Sequence, residues 1–345
     1  MRVSVVGGAG YVGGELVRLL LGHPQVQLAQ VTSISHQGRP IATVNPNLRD
    51  FTDLRFERPD ALRPCDALIA VGTETAAEEP TLAEMRSLAP LLIDCGPRLR
   101  LRDPEVFRAW YGTEPEPAEL LTQSVYGLAE LHRAALGEAR LISGVGCSAA
   151  AAILALLPVA RAGWKLTAPA CVEARFGSSA AGAQPDIASH HPERSGAVRV
   201  FAPEGHRHAA EVAQAFGWAP EQLSYAGVAI EMVRGISVSI RCFLASSVTE
   251  RDLWDVFRDS YAGEPFVRIV SSHSGLHRSP DPRWLVGTNL CDVGFAVDRT
   301  GLRVTLFAAL DNLGKGSAGT AVQALNCASG MKETLGLTFT GLHPL

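Results

Sequence analysis

Arg2-Val3-Ser4-Val5-Val6-Gly7-Gly8-Ala9-Gly10-Tyr11-Val12-Gly13-Gly14 runs from a valine-rich strand into a glycine turn, and a helix-like segment over 15–21 follows. Gly8, Gly10 and Gly13 carry the G-x-G-x-x-G spacing in the strand-to-helix setting that a dinucleotide fingerprint requires. Glycine lets the backbone approach a pyrophosphate, which then sits on a helix N-terminus; a tight turn is the alternative reading. Working outward, strands are expected over 26–33, 66–71, 91–94 and 141–143, with a helix over 81–88. This alternation predicts a parallel sheet wound with helices. At the end of the second strand an NAD enzyme places a carboxylate for the ribose 2′-OH. Here the segment reads Ser33-Ile34-Ser35-His36-Gln37-Gly38-Arg39. Hydroxyls and a cation suit a 2′-phosphate, so NADP(H) is the expected cofactor, with a polar surface loop as the alternative.

Composition excludes several classes. The 345 residues suffice for two domains. Hydrophobic residues at 47% and charged residues at 19% describe a globular chain. A net charge of -4 argues against a nucleic-acid partner, and no apolar run is long enough to span a membrane. Seven scattered cysteines form neither a disulfide framework nor a Cys-x-x-Cys metal site. With no charged leader ahead of Val3, a cytoplasmic location is expected.

From about residue 167 the pattern changes to alternating strands, expected over 226–232, 236–243, 266–270, 289–297 and 302–309, with one helix over 250–261. The predicted fold class is therefore an α/β Rossmann-type NADP domain over 1–146 followed by an α+β catalytic and oligomerisation domain over 147–310, with a mostly antiparallel sheet. A C-terminal segment over 311–345 carries a helix over 320–326 that should return to the first domain and touch the cofactor.

Gly146-Cys147-Ser148-Ala149-Ala150-Ala151-Ala152 places a cysteine after a glycine turn at the start of an apolar helix. A helix dipole and unpaired backbone N–H groups favour the thiolate, so Cys147 is the candidate nucleophile; a small buried hydrophobe is the bland alternative. Such a thiolate needs a proton partner. Gly205-His206-Arg207-His208 opens a helix over 209–216 and offers two histidines. A His-x-His could also be half of a zinc site, but further ligands at metal spacing are missing, so no metal is expected. Arg98 follows a strand's C-terminal end, where ligands bind in such sheets; it is either an oxyanion or phosphate contact or a solvated loop arginine. The small-residue stretches over 175–183 and 189–195 could wrap a ligand or simply connect.

These pieces in this order resemble the N-acetyl-gamma-glutamyl-phosphate reductase family, a relative of aspartate-semialdehyde dehydrogenase. The resemblance covers essentially the whole chain. It is carried by Gly10-Tyr11-Val12-Gly13-Gly14-Glu15-Leu16, Tyr126-Gly127-Leu128-Ala129-Glu130-Leu131, Gly146-Cys147, Gly205-His206-Arg207-His208-Ala209-Ala210-Glu211 and Asp311-Asn312-Leu313-Gly314-Lys315-Gly316. Arginine-pathway members usually read Asn-Pro-Gly-Cys-Tyr-Pro-Thr around the nucleophile, whereas this chain has Gly144-Val145-Gly146-Cys147-Ser148-Ala149-Ala150. Together with Ser189-His190-His191-Pro192-Glu193-Arg194-Ser195, that departure makes it look more like the branch serving lysine synthesis through aminoadipate. In that branch the substrate rides on a small acidic amino-group carrier protein of the LysW type.

The resemblance implies that Cys147 attacks an acyl phosphate, expels phosphate and forms a thioester that NADPH reduces to an aldehyde. His208, with His206 as the alternative, would move the protons. Gly10, Tyr11, Val12 and Gly13 would contact the pyrophosphate, Ile34, Ser35 and His36 the adenosine end, and Asn312 the nicotinamide. Arg98, Ser178 and Ser179 are expected on the substrate phosphate, and Arg194, Arg199 and Arg207 near the mouth that receives the carrier. A homotetramer is expected. The runner-up is N-acetyl-gamma-glutamyl-phosphate reduction in arginine synthesis, or a dual enzyme; outside catalysis, the alternative is an NADP-binding redox regulator.

Overall fold

The computed structural model describes residues 1–71 and 80–344. They divide into two compact units: Met1–Arg108, Gly112–Val145 and Ser317–Thr338 form the first, and Ala109–Tyr111, Gly146–Gly316 and Phe339–Leu345 the second.

The first unit begins with β1 (Arg2–Val6), α1 (Tyr11–Leu21), β2 (Gln27–Thr32), β3 (Phe56–Glu57), β4 (Ala67–Ala70), α2 (Leu82–Leu88) and β5 (Leu91–Asp94). It continues through α3 (Pro104–Tyr111), whose last three residues belong to the second unit, α4 (Ala118–Gln123), β6 (Val125–Tyr126), α5 (Ala129–Glu138) and β7 (Leu141–Ser143). The strands form one sheet in the order β3-β2-β1-β4-β5-β7-β6, with every neighbouring pair parallel. A strand buried on both faces reads as a continuous apolar run, and Val3, Val5 and Val6 are accordingly almost fully buried. Val6, Leu68, Leu82, Met85, Leu92, Leu99 and Leu121 belong to one core cluster. Each such side chain contributes about 1.5–3 kcal/mol when fully buried.

The second unit holds α6 (Cys147–Arg161), β8 (Ala170–Phe176), α7 (His191–Arg194), β9 (Val198–Ala202), α8 (His208–Phe216), β10 (Leu223–Ile230), β11 (Ile236–Phe243), α9 (Glu250–Tyr261), β12 (Val267–Ile269), β13 (Cys291–Val297) and β14 (Arg303–Leu310). Its sheet runs β12-β13-β14-β11-β8-β10-β9. Four of the six pairings are antiparallel, and β12 with β13 and β8 with β10 are parallel. The sheet is mixed but mostly antiparallel, as expected. The strands β8 and β9 were not anticipated. In β8 the Ala-Cys-Val-Glu-Ala-Arg-Phe alternation buries every second residue, but Glu173 and Arg175 on the other face made its end read as loop.

Helix α6 explains its own composition. From Ser148 to Val159 every residue is buried, because α6 packs against β11, β13 and β14 as well as α8 and α9. A helix apolar all round belongs in a core, and its alanines let the neighbouring elements come close.

The C-terminal segment divides. Asp311–Gly316 and Phe339–Leu345 lie in the second unit, whereas Ser317–Thr338 lies in the first. There α10 (Gly319–Ala328) packs against α1 and α5. Buried polar pairs fix its place: His23 Nε2 lies 3.0 Å from Asn326 Oδ1, and Gln323 Nε2 donates to Glu130 Oε1 at 3.2 Å. Among the described residues, no helix is long and apolar enough to cross a membrane.

Candidate active site

Cys147 is the first residue of α6 and is partly exposed. The N-cap residue Gly146 makes no side-chain cap bond, and the first internal bond of the helix runs from Ala150 N–H to the Gly146 carbonyl at 2.8 Å. The N–H groups of the first turn therefore gather at the Cys147 end, where the helix dipole is positive. The N–H of Gly146 donates to Glu211 Oε2 at 2.9 Å. Position 146 has no room for a larger residue: a Cβ there would lie 2.6 Å from Glu211 Oε1 and 2.7 Å from His208 Nε2. A side chain's absence lets the histidine and carboxylate of α8 stand directly against the start of the cysteine helix.

His208 and Glu211 are one turn apart on α8 and both buried, with Nε2 3.8 Å from Oε1. Tyr111 O–H donates to the same carboxylate at 3.2 Å. The other face of the imidazole meets α6: Ser148 Oγ lies 2.6 Å from His208 Nδ1, and Tyr225 O–H on β10 donates to Ser148 Oγ at 2.8 Å. Burial, reinforced by the nearby Cys147 and Glu211, pushes the Tyr225 phenol well above its usual range against the opposing Ser148 hydrogen bond. It stays protonated and remains a donor. Glu211, Ser148, Tyr225 and Tyr111 were not singled out from sequence. For Glu211 the His-x-x-Glu spacing on one helix face was the available signal.

His206 has a different environment. Its ring stacks on Tyr225 at 5.4 Å and packs against Phe176 at 5.1 Å and Phe201 at 5.8 Å. Its Nδ1 accepts the His208 N–H at 3.2 Å. Burial, and then the Arg207 charge, lower its pKa to about 4, so it is neutral at physiological pH.

Other expected contacts are already engaged. Ser179 is buried; its hydroxyl donates to the Val233 carbonyl at 2.7 Å and accepts from Asn312 Nδ2 at 2.9 Å. Asn312 is buried too, its Oδ1 accepting from Gly235 N–H at 2.7 Å. Ser178 is half-buried, with its N–H on the Met232 carbonyl at 2.8 Å. In the first unit, Arg98 reaches back to buried Asp94 through Nε and Nη2, both at 3.2 Å. Arg194 donates to the Phe176 carbonyl at 2.7 Å, and Arg199 to the carbonyls of Ala188 at 2.9 Å and Glu193 at 3.3 Å. These two arginines brace the 186–199 segment. Arg207 is exposed, its guanidinium 5.9 Å from the Tyr111 ring.

The glycine turn of the first unit fits a dinucleotide. A Cβ at Gly8 would come within 2.1 Å of Val31 Cγ1, and one at Gly13 within 2.6 Å of the Gly7 carbonyl oxygen. Gly10 faces open space, Tyr11 is 48% exposed, and α1 starts without a side-chain cap or first-turn acid. Val12 follows at half-exposure. These are the surroundings a pyrophosphate needs. Beyond β2, Ile34, Ser35 and Arg39 are exposed; Ser35 Oγ lies 2.8 Å from His36 Nδ1, and the His36 ring sits 6.1 Å from that of Phe56.

Comparison with known proteins agrees with this division. The family model described as "Semialdehyde dehydrogenase, NAD binding domain" matches residues 2–139, and "Semialdehyde dehydrogenase, dimerisation domain" matches 147–312. A Thermomicrobium roseum protein is 48% identical over 100% of this chain and 99% of its own length. A Deinococcus radiodurans protein is 44% identical over 99% of this chain and 98% of its own. Both carry the name LysW-L-2-aminoadipate 6-phosphate reductase, the first provisionally. A Sulfurisphaera tokodaii protein, 38% identical over 100% of this chain and 99% of its own, is named as a LysW-L-2-aminoadipate/LysW-L-glutamate phosphate reductase. Among solved structures, aspartate semialdehyde dehydrogenase with NADP from Candida albicans aligns with a TM-score of 0.66 at 12% identity, over 95% of this chain and 98% of that one.

Proposed function

The chain belongs to the semialdehyde dehydrogenase family, an aldehyde-forming group of oxidoreductases with a nicotinamide cofactor, and from that premise we propose that it reduces aminoadipate 6-phosphate held on an acidic LysW-type carrier protein. The product is the carrier-bound semialdehyde, with phosphate released, on the aminoadipate route to lysine. The observation that carries this reading is full-length similarity to reductases of that name, joined to a cysteine that starts a helix directly after Gly146, the glycine that abuts His208 and Glu211. The redox-regulator alternative falls with membership in a family of reductases.

The chemistry follows from the side chains. His208 takes the thiol proton, and the Cys147 thiolate attacks the acyl phosphate carbonyl. The C–O bond to phosphate breaks, phosphate departs and a thioester forms on Cys147. Backbone N–H groups of the first turn of α6 hold the oxyanion, a role worth about 2.7–4 kcal/mol per donor. When bound, NADPH supplies hydride to the thioester carbonyl. His208 returns its proton as the thiohemiacetal collapses to aldehyde and thiol. Glu211 stabilises the imidazolium between these two steps.

For the cofactor, Gly8 and Gly10 to Gly13 hold the pyrophosphate, and Ser33, Ser35, His36 and Arg39 favour a 2′-phosphate, making NADP(H) the preferred form. Arg207 is the exposed cation best suited to meet an acidic carrier. Asn312 acts by shaping the Ser179–Gly235 region. The dimerisation-domain match supports a homo-oligomer, for which a tetramer is our reading.

The test is NADPH oxidation with aminoadipyl phosphate on purified carrier, run beside free N-acetylglutamyl phosphate and carrier-bound glutamyl phosphate. Turnover only with the carrier-bound aminoadipyl substrate is expected. Turnover with both carrier-bound substrates would favour the dual reading suggested by relatives named for both, since one methylene is worth only about 1–3 kcal/mol. Turnover with the free substrate alone would overturn the assignment.

A further inference from the structure

We infer that Gly316, and the Arg234–Asp311 ion pair that holds the turn carrying it, are positioning residues that seat the Cys147 thiol for attack. This rests on the proposed covalent role of Cys147. A Cβ at Gly316 would lie 2.8 Å from Cys147 Cβ, so the bare backbone of residue 316 stands directly against the nucleophile's side chain. A cysteine Sγ has three staggered positions to choose from, and backbone packed against its Cβ closes those on that side. The turn that brings Gly316 there is itself unusual. Residues Gly314–Ala318 form a single π-helical turn, a form that is rare and found frequently at functional sites. It needs glycine at 314, where a Cβ would come within 2.1 Å of the Thr288 carbonyl oxygen.

Such a turn has to be held. Asp311 is fully buried, and its carboxylate accepts from Arg234 Nε at 3.2 Å and Nη2 at 2.5 Å, from Gly287 N–H at 2.6 Å and from Leu313 N–H at 3.0 Å. Its own carbonyl accepts Gly316 N–H at 2.9 Å. A carboxylate in the interior is costly unless it is paired and hydrogen-bonded, and a bidentate guanidinium fixes its orientation as well as its charge. The bond from Asp311 to Gly316 passes that orientation on to the nucleophile. Gly235, next to Arg234, donates its N–H to Asn312 Oδ1 at 2.7 Å, and its carbonyl accepts Gly177 N–H at 3.0 Å. Its φ of 128° favours glycine, and a Cβ there would lie 2.8 Å from Pro282 Cβ. Two adjacent residues of one loop thus grip two adjacent residues of the turn, 77 positions further along the chain.

Gly316→Ala, Asp311→Asn, Arg234→Lys and the double variant Gly316→Ala/Asp311→Asn test this in the full-length protein, with p-nitrophenyl acetate as a carrier-free acyl donor. The Cys147 thiolate attacks its carbonyl, p-nitrophenolate leaves and the acetyl group stays on sulfur, so the burst of p-nitrophenolate reads the attack alone. The burst rate should fall by about tenfold in Gly316→Ala and in Asp311→Asn. It should fall by less in Arg234→Lys, which keeps the charge but not the bidentate fork, at a partly exposed position where the chain should still fold. The pH at half-maximal alkylation of Cys147 by iodoacetamide should stay at the parent's value in all of them, because the α6 dipole and His208 are untouched. If Asp311 acts through Gly316, the double variant is no slower than the slower single one, whereas independent structural damage would multiply to about a hundredfold. Multiplicative losses, a parental burst rate in folded Asp311→Asn, or an alkylation profile that moves together with the burst would overturn the inference. Parent protein without Cys147-dependent release of p-nitrophenolate would overturn the covalent role of Cys147 and the inference with it. The ester needs no carrier, so these comparisons decide the point even if the carrier-bound substrate proves wrong.

Discussion

Gly146→Ala is the most demanding test of the site geometry. The backbone at 146 sits at φ -72 and ψ 131, a conformation that alanine adopts without strain. The substitution therefore acts through its methyl group alone. That methyl would stand 2.6 Å from Glu211 Oε1 and 2.7 Å from His208 Nε2, where ordinary contact begins at 3.4 Å. The two side chains must withdraw by 3.4 − 2.6 = 0.8 Å and 3.4 − 2.7 = 0.7 Å, or α6 must shift. Misplacement on the order of 1 Å costs about 10²-fold in rate, equivalent to about 2.7 kcal/mol of barrier. Overpacking should also lower stability by about 1–3 kcal/mol. Steady-state kinetics and chemical denaturation read both. A folded Gly146→Ala protein with the parent kcat and the parent Cys147 alkylation profile would refute the idea that His208 and Glu211 work from where they stand.

Cys147→Ser should retain NADP(H) binding by fluorescence titration while losing reduction. At pH 7, iodoacetamide mapped by mass spectrometry should label Cys147 far faster than Cys95 and Cys242, whose thiols burial pushes up to about 12. Gly13→Ala, which forces a methyl to 2.6 Å from the Gly7 carbonyl oxygen, should abolish cofactor binding while leaving Cys147 alkylation intact. His206 titrates near 4 when folded against 6.5 unfolded, so between these values the unfolded chain binds more protons and stability rises with pH. This group should therefore remove up to about 3 kcal/mol as pH falls from 7 to 4, and urea denaturation of His206→Phe should show a shallower pH dependence.

What could be read from the sequence was local. The Val3–Val6 run, the glycine spacing and α1 lie within twenty residues, and so do Cys147 and the helix it starts. The strand pattern of the second unit was legible wherever apolar residues alternate, and β8 escaped because Glu173 and Arg175 occupy its half-exposed face. Arg98 could have been paired with Asp94 from their four-residue spacing. The partners of the catalytic groups could not: Ser148 meets His208 across 60 residues, Gly146 meets Glu211 across 65, and Ser179 meets Asn312 across 133. Each pair joins elements whose adjacency is a property of the fold. Nothing in their local sequence encodes it.

The measurement that bears most directly on the central claim is trapping of the acyl-enzyme. Protein mixed with carrier-bound aminoadipyl phosphate in the absence of NADPH, quenched in acid and analysed by intact mass and peptide mapping, should carry the acylated carrier on Cys147. The adduct should disappear when NADPH is added. Rapid turnover without any Cys147 adduct, or the same adduct formed by Cys147→Ser, would contradict the thioester account.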